Sequence, residues 1–355
     1  MKITKLTAFR KDLKLKKPYT IAYETCTEAN NVFLEIELEN GVTGIGAAAT
    51  SEFVFGESLE NTLSNLQSEI VQKWVGRDIR HFRSVIAEAR SLFPHHPATC
   101  AAVDIALHDA FCKYLGIPVV DFYGKKFKSL PTSVTIGISD VKQTLEEALE
   151  YKKMRFTVLK VKIGLHIDED IERCTKLREK FGDYFKIRVD ANQGYNRQQT
   201  MDFFNATQSL DLELVEQPMP VGSEKKMVTL PLSIRKRIAC DESLKDATTA
   251  LKLASEPKTC GIFNIKLMKC GGILSAMDIA TIAQSSNIDL FWGCYDESIV
   301  SISAALHAAL SCVNTRYLDL DGSLDLAEDL VKGGFILTNG EMTPTEKPGF
   351  GFEKC

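Results

Sequence analysis

The sequence predicts an α/β protein: a (β/α)8-type TIM barrel preceded by a smaller α+β unit. Three observations predict it. Charged residues close five short apolar runs, Val158–Lys162, Ile187–Asp190, Leu214–Glu216, Ile238–Asp241 and Ile262–Lys266. Counted from Lys162 the intervals are 28, 26, 25 and 25 residues, each long enough for a turn, a helix and a return. The first 50 residues lack this period and alternate in short runs instead. In a (β/α)8 barrel the C-terminal strand ends converge on one mouth, where the chemistry sits. One period therefore brings acids and lysines to a single ring.

Composition narrows the class of function. The chain has 355 residues, 45% apolar and 25% charged, an ordinary globular mix that can bury a large core. A net charge of -4 and the lack of any Lys/Arg block argue against nucleic acid as a partner. No apolar run approaches the ~18 residues of a membrane span, so no membrane partner is expected. Ten scattered cysteines, without a C-x-x-C pair or a secretory start, read as reduced thiols in the cytoplasm. The six histidines fall outside the strand-end pattern, which counts against a His-ligated metal.

Taken in order, Lys2–Phe9, Asn31–Leu38 and Val42–Gly46 form an antiparallel meander, with Asn40-Gly41 as its hairpin turn. Lys17–Thr25 is a loop between the first two strands. A second loop, Ala48–Glu57, carries Phe53 and Phe55 and suggests a lid over the barrel. Residues 58–115 are helical, with apolar residues at three- and four-residue spacing and a stop at Gly116-Ile-Pro118. His108-Asp109 inside this layer is read as structural.

The barrel starts near Thr132. Its first strand is Ser133–Gly137, and the next five end at Lys162, Asp190, Glu216, Asp241 and Lys266. Asp289–Trp292 is the seventh and Thr315–Asp319 the eighth, with helices at 274–285 and 299–310. Residues 323–355 are short elements that fold back on the N-terminal unit. The expected division is 1–125, 126–322 and 323–355.

Three carboxylates converging at one mouth repel unless a cation sits among them. Asp190, Glu216 and Asp241 are hard oxygen donors without His or Cys, a set that selects Mg²⁺. Glu242 is a neighbouring alternative that strand alternation should point away, if the strand extends that far. Lys160 and Lys162 share a strand face, so repulsion and burial should lower at least one pKa toward neutrality and make a general base. Lys266 lies across the mouth from them. Lys269 is out of phase and falls in the loop. A lysine on each side of an α-carbon, beside a metal that holds a carboxylate, suits proton removal on one face and return on the other.

Lys160-Val-Lys162, Asp190-Ala-Asn-Gln-Gly194, Val215-Glu-Gln-Pro218, Asp241-Glu-Ser243, Asn264–Gly272 and Asp319-Leu-Asp321 together closely resemble the muconate-lactonizing subgroup of the enolase superfamily, and within it the dipeptide epimerases. The likeness runs over nearly the whole chain. It implies a modified (β/α)7β barrel, with an α+β capping domain that the C-terminal segment completes. It implies Lys162 and Lys266 as the two bases and Lys160 as the partner that tunes the pair. It implies one Mg²⁺ per subunit on Asp190, Glu216 and Asp241, and an enediolate on the path between epimers. In that family an Asp-x-Asp element holds the dipeptide's amino terminus, a role that falls here to Asp319 and Asp321. Thr135, on the first barrel strand, and Asp296, after the seventh, join them as substrate contacts.

One departure matters. Epimerases acting on Ala-Glu carry an arginine in the first loop, where this chain has Glu24. A carboxylate there repels an acidic side chain, and Phe53 and Phe55 favour apolar contact. The expected substrate is a dipeptide whose C-terminal residue is neutral or hydrophobic, or else cationic, but not Glu. An N-acylamino-acid racemase or o-succinylbenzoate synthase on the same scaffold is the alternative, and a non-catalytic binding protein the remote one. A homo-oligomer is compatible with either.

Overall fold

The structure, a computed structural model, describes residues 1–21 and 24–355. The side chains of residues 17–26 and 53 are outside the described set, so the side chains of the candidates Glu24 and Phe53 lie outside what the structure describes.

The N-terminal unit opens with an antiparallel sheet of β1 (Ile3–Ile21), β2 (Glu24–Leu38) and β3 (Thr43–Ala49). The meander is the expected one, but its first two strands are far longer. Pairing runs from Ile3 with Leu38 to Ile21 with Glu24, past an irregularity between Lys14 and Tyr19. The segment read as a loop, Lys17–Thr25, is thus largely the end of a hairpin. Pro18 hid the strand in the sequence, because a proline within a run argues against a strand there. The hairpin is tied to the chain just beyond Asp321. Lys16 donates its backbone N–H to the Asp325 carbonyl and Ala327 donates to the Lys14 carbonyl, both at 2.7 Å.

Helices Leu59–Gln67, Glu69–Gln72, Phe82–Leu92 and Pro97–Leu115 follow, the first capped by Ser58 and the last ended by left-handed Gly116. The Ala-rich helix Pro97–Leu115 lies directly on β3. A Cβ at Gly46 would come within 1.9 Å of the Ala102 carbonyl oxygen. Small residues on both elements allow this approach and make the joint rigid. His108 and Asp109 are both fully buried there. Asp109 accepts from the N–H groups of Ile45 and Phe350, and His108 Nε2 meets the Tyr123 hydroxyl at 2.6 Å. Both are structural, as read.

After the short β4 (Leu130–Pro131) come eight parallel strands: β5 (Val134–Ile136), β6 (Val158–Lys162), β7 (Lys186–Asp190), β8 (Leu212–Glu216), β9 (Ile238–Cys240), β10 (Ile262–Ile265), β11 (Asp289–Trp292) and β12 (Thr315–Leu318). They follow one another in order from β5 to β12. A parallel bridge between Thr132 and Leu318 closes the ring. Helices follow β5 to β11, and none of the barrel type follows β12, which is the (β/α)7β form. The barrel floor holds Arg188, whose Nη1 donates to the Leu318 carbonyl at 2.6 Å and whose guanidinium stacks near Phe291 and Tyr317.

β13 (Val331–Gly333) pairs with β16 (Phe352–Lys354), and β14 (Phe335–Thr338) and β15 (Glu341–Pro344) extend β4. Lys354 pairs with Glu35 on β2, so the chain's end returns to the first sheet. Among the described residues no helix is long and apolar enough to cross a membrane.

One buried histidine sets a pH dependence. His307 lies on helix Ile299–Ser311, fully buried, with Nδ1 accepting from the Val120 N–H at 3.0 Å. Burial, aided by Lys125, lowers its pKa from 6.5 to about 3. The unfolded chain therefore takes up the proton first as pH falls. Stability from neutral His307 is lost from about pH 6.5 down to about 3, by on the order of 5 kcal/mol. We expect Tm to fall over that window, and His307→Gln, which keeps an acceptor for Val120, to flatten the fall in melts across pH.

Candidate active site

Strand register assembles the site. Lys162 on β6 pairs with Asp190 on β7, and Asp190 pairs with Glu216 on β8. Three charged residues thus stand side by side. Asp241 and Lys266 each sit one residue beyond their strands, β9 and β10. Asp190, Glu216 and Asp241 are all buried, at 0%, 0% and 2% exposure.

Lys160 is the hub. Its Nζ lies 2.8 Å from Asp319 Oδ2, 3.1 Å from Asp190 Oδ2 and 2.9 Å from Glu216 Oε2. Lys162 is half-buried, and its Nζ donates to Asp190 Oδ2 at 2.7 Å and to Asn192 Oδ1 at 2.9 Å. Across the mouth, Lys266 Nζ lies 3.0 Å from Asp241 Oδ2 and 4.6 Å from the centre of the Tyr295 ring.

For Lys160 the expected fall in pKa is corrected. Burial pushes Lys160 down, but Asp319, Glu216 and Asp190 outweigh it and hold its ammonium well above the ordinary value. Lys266 is likewise buried and yet raised, chiefly by Asp241. The counter-charges overcome the repulsion between lysines. Burial also raises the acids, but Lys162 and Lys160 hold Asp190 below its usual range, and Lys266 and Lys269 do the same for Asp241. Glu216 differs: burial and the Asp190 charge push it up to about 8.

That imbalance is what a cation would relieve. Glu216 Oε2 is buried without a hydrogen-bond partner among the described residues, its approach to Lys160 being an ion pair outside hydrogen-bond geometry. The donors are carboxylate oxygens only, a set that fits a hard divalent ion. Among the described residues no three such side chains form a finished cage, because Asp190 and Asp241 turn oxygens onto lysines. The fit therefore rests on donor chemistry and register.

Other side chains take part that the pattern did not mark. Lys269 is on the one-turn helix Leu267–Cys270, buried, with Nζ on Asp241 Oδ1 and on the Asp241 carbonyl. It was expected in a loop; a helical turn straight after Lys266 brings it back to the same acid. Asn264 Nδ2 donates to Glu216 Oε1 at 2.8 Å. Gln217 Oε1 accepts from the N–H groups of Asp241 and Ser243 at 3.0 and 3.3 Å, which ties β8 to the Asp241 turn. Glu242 was expected to point away. The strand ends at Cys240, so alternation stops there, and Glu242 Oε1 meets Asn192 Nδ2 at 3.4 Å.

Asp319 is engaged by the protein: Oδ2 with Lys160 and Oδ1 with Ser133 Oγ at 2.6 Å. Asp321 Oδ2 accepts the Thr135 N–H at 2.9 Å. Burial and the neighbouring Asp319 push Asp321 up to about 7. Thr135 thus enters through its backbone. Asp296 is half-buried in the turn after β11 and adds to the negative field at Glu297. Phe55 ends the short helix Glu52–Phe55 and packs on Tyr295.

Gly293 leaves room for two of these groups. A Cβ there would lie 2.7 Å from Asn264 Oδ1 and 3.1 Å from Lys266 Cε. We expect Gly293→Ala to cost about 1–3 kcal/mol in stability and to displace both Asn264 and Lys266. Turnover should then fall further than the melt shows, by about 10²-fold, as steady-state rates and a Tm measurement would reveal.

With this geometry in place, the chain can be compared with known proteins. Residues 3–124 match the mandelate racemase / muconate lactonizing enzyme N-terminal domain, and residues 143–354 the enolase C-terminal domain-like family. A Desulforapulum autotrophicum protein named L-Lys-D/L-Arg epimerase is 49% identical over 100% of both chains. A Methylococcus capsulatus protein of the same name is 46% identical over 99% of both. The crystal structure of the dipeptide epimerase from Methylococcus capsulatus, complexed with Mg and the dipeptide L-Arg-D-Lys, superposes with a TM-score of 0.97 at 46% identity, covering 99% of each chain. The chain belongs to the mandelate racemase / muconate lactonizing enzyme family, whose barrel is of the enolase C-terminal type.

Proposed function

We propose that this chain is an Mg²⁺-dependent dipeptide epimerase that inverts the α-carbon of a basic C-terminal residue. One observation carries the reaction. Lys162 ends the second of eight barrel strands and Lys266 directly follows the sixth, on opposite sides of the mouth, with the three carboxylates at the ends of the strands between. An α-carbon held there has an amine on each face.

Asp190, Glu216 and Asp241 would hold the ion. When bound, Mg²⁺ supplies positive charge at the substrate carboxylate as negative charge develops on it. One lysine, as the neutral amine, takes the α-proton and becomes an ammonium. The other, as the ammonium, delivers a proton to the opposite face and becomes the amine. Charge and protons balance, and the roles exchange for the reverse reaction. Lys160 stays charged and ties Asp319 to the acids of β7 and β8. Asp321, with one oxygen on the Thr135 N–H, offers the other to the substrate's ammonium group.

The sequence put a neutral or hydrophobic C-terminal residue first, allowed a cationic one and excluded Glu. Two full-length relatives named L-Lys-D/L-Arg epimerase move the cationic residue to the front. An acidic mouth with Asp296, Asp321 and Glu242 agrees with that order. The nine described cysteines are free thiols, in keeping with a reducing, cytoplasmic setting.

The test is a mass-spectrometric screen in D₂O with Mg²⁺. Dipeptides ending in Lys or Arg should gain one deuterium, about tenfold or more faster than Ala-Ala or Ala-Val, and Ala-Glu should lag furthest. Faster exchange on N-acyl-lysine than on any dipeptide would overturn this reading in favour of an N-acylamino-acid racemase.

A further inference from the structure

Phe55 belongs to the N-terminal unit and Lys266 to the barrel, yet only one side chain separates them. The Phe55 ring lies 6.0 Å from that of Tyr295, tilted by 60°. The face of Tyr295 in turn lies 4.6 Å from Lys266 Nζ. A continuous series of contacts thus runs from the helix Glu52–Phe55 to one of the two bases.

Tyr295 is fixed at its backbone. Its N–H donates to Glu297 Oε1 at 2.9 Å. Its carbonyl faces Gly322, where a Cβ would come within 1.9 Å of the oxygen. The phenol hydroxyl is buried and makes no hydrogen bond to any described residue. No hydrogen bond to a described residue therefore fixes the angle of the ring, which has Phe55 and Lys266 among its neighbours. Among the described residues no ring lies against the opposite base. Lys162 is held by Asp190 and Asn192 through hydrogen bonds from barrel loops.

We propose that Tyr295 is a positioning residue for Lys266 and that Phe55 acts through it, so that the N-terminal unit sets the placement of one base and not the other. The physical ground is simple. A lysine side chain has four rotatable bonds, and a proton transfer needs the nitrogen at hydrogen-bond reach of one carbon. An aromatic face attracts the ammonium and bars the rotamers that would carry it away. Phe55, marked by the sequence as a substrate contact, then serves the base instead. The proposal rests on the two-base reading given above.

The asymmetry makes it testable. In Mg²⁺ and D₂O, each epimer of a responsive dipeptide is given separately and its α-deuterium content followed. Lys266→Ala and Lys162→Ala identify which epimer presents its proton to which lysine. We expect Tyr295→Leu to slow exchange of the Lys266-side epimer by about tenfold or more relative to the other epimer, with KM nearly unchanged. Phe55→Leu should shift the same ratio by less, and the double variant should be no worse than Tyr295→Leu alone. Tyr295→Phe, which keeps the ring, should lose far less than Tyr295→Leu. Retained exchange on the Lys162 side shows that the variant is folded. An equal loss on both sides would reveal a merely structural residue and overturn the proposal. A raised KM with an unchanged ratio would overturn it too, by making Phe55 and Tyr295 substrate contacts. Wild-type enzyme that exchanges no dipeptide proton at all would instead overturn the two-base reading beneath it.

Discussion

Alanine at Lys162 or at Lys266 abolishes inversion, and each variant keeps exchange on only one epimer. This is the largest effect we expect. Inversion needs a proton taken from one face and another delivered to the opposite face. A single remaining lysine can remove and return a proton on its own side only. The loss in turnover should be about 10³-fold or more, the range for removing a positioned general base or acid. The check is NMR in D₂O: the α-proton signal of one epimer fades while the other epimer never appears. If either variant inverted at near wild-type rate, that lysine would not be a base. Lys160→Met should differ from both. Its loss strips the shared counter-charge from Asp190, Glu216 and Asp319, so it should lower the stability of the metal-free chain, make that stability depend more strongly on Mg²⁺, and affect both epimers alike.

Removing the metal should be the next largest effect. Chelation should bring turnover to background, and added Mg²⁺ should restore it. Zn²⁺ and Ca²⁺ should serve poorly, because the donor set is all carboxylate and Ca²⁺ prefers a larger, looser cage. A readout besides turnover is available. At a concentration near 100 times its Kd, an ion that binds only the folded chain stabilises it by about 2.7 kcal/mol. Thermal melts should therefore rise by a few degrees with Mg²⁺. Glu216→Gln should lose most of that rise, since Glu216 is the acid with the least compensation inside the protein. A full Mg²⁺ shift in Glu216→Gln would remove Glu216 from the ligand set.

Much of this was legible before any coordinates. A charged residue closing an apolar run at a fixed interval specifies strand, face and end at once. That is why Lys162, Asp190, Glu216, Asp241 and Lys266 could be placed at one mouth. The same logic failed at Lys269 and Glu242. Both lie just past a strand's end, where the two-residue alternation no longer governs direction. It failed at Lys17–Thr25 because Pro18 interrupts the run and reads as a loop. The side chains of Glu24 and Phe53, on which the sequence rested much of its specificity argument, lie outside what the structure describes.

The sequence by itself determined the barrel, its order and the identity of the charges at its mouth, because these depend on period and residue type along one strand at a time. The tertiary structure decided how those charges are shared. Lys160 lies among three acids from three other strands, Gln217 fixes the turn that carries Asp241, and Phe55 reaches Lys266 through Tyr295. Each of these contacts joins residues from different elements, up to 240 positions apart in the case of Phe55 and Tyr295. Only the closing of the ring and the docking of the N-terminal unit bring them within a few ångströms. Local pattern carries no term for distances that the packing of whole elements sets.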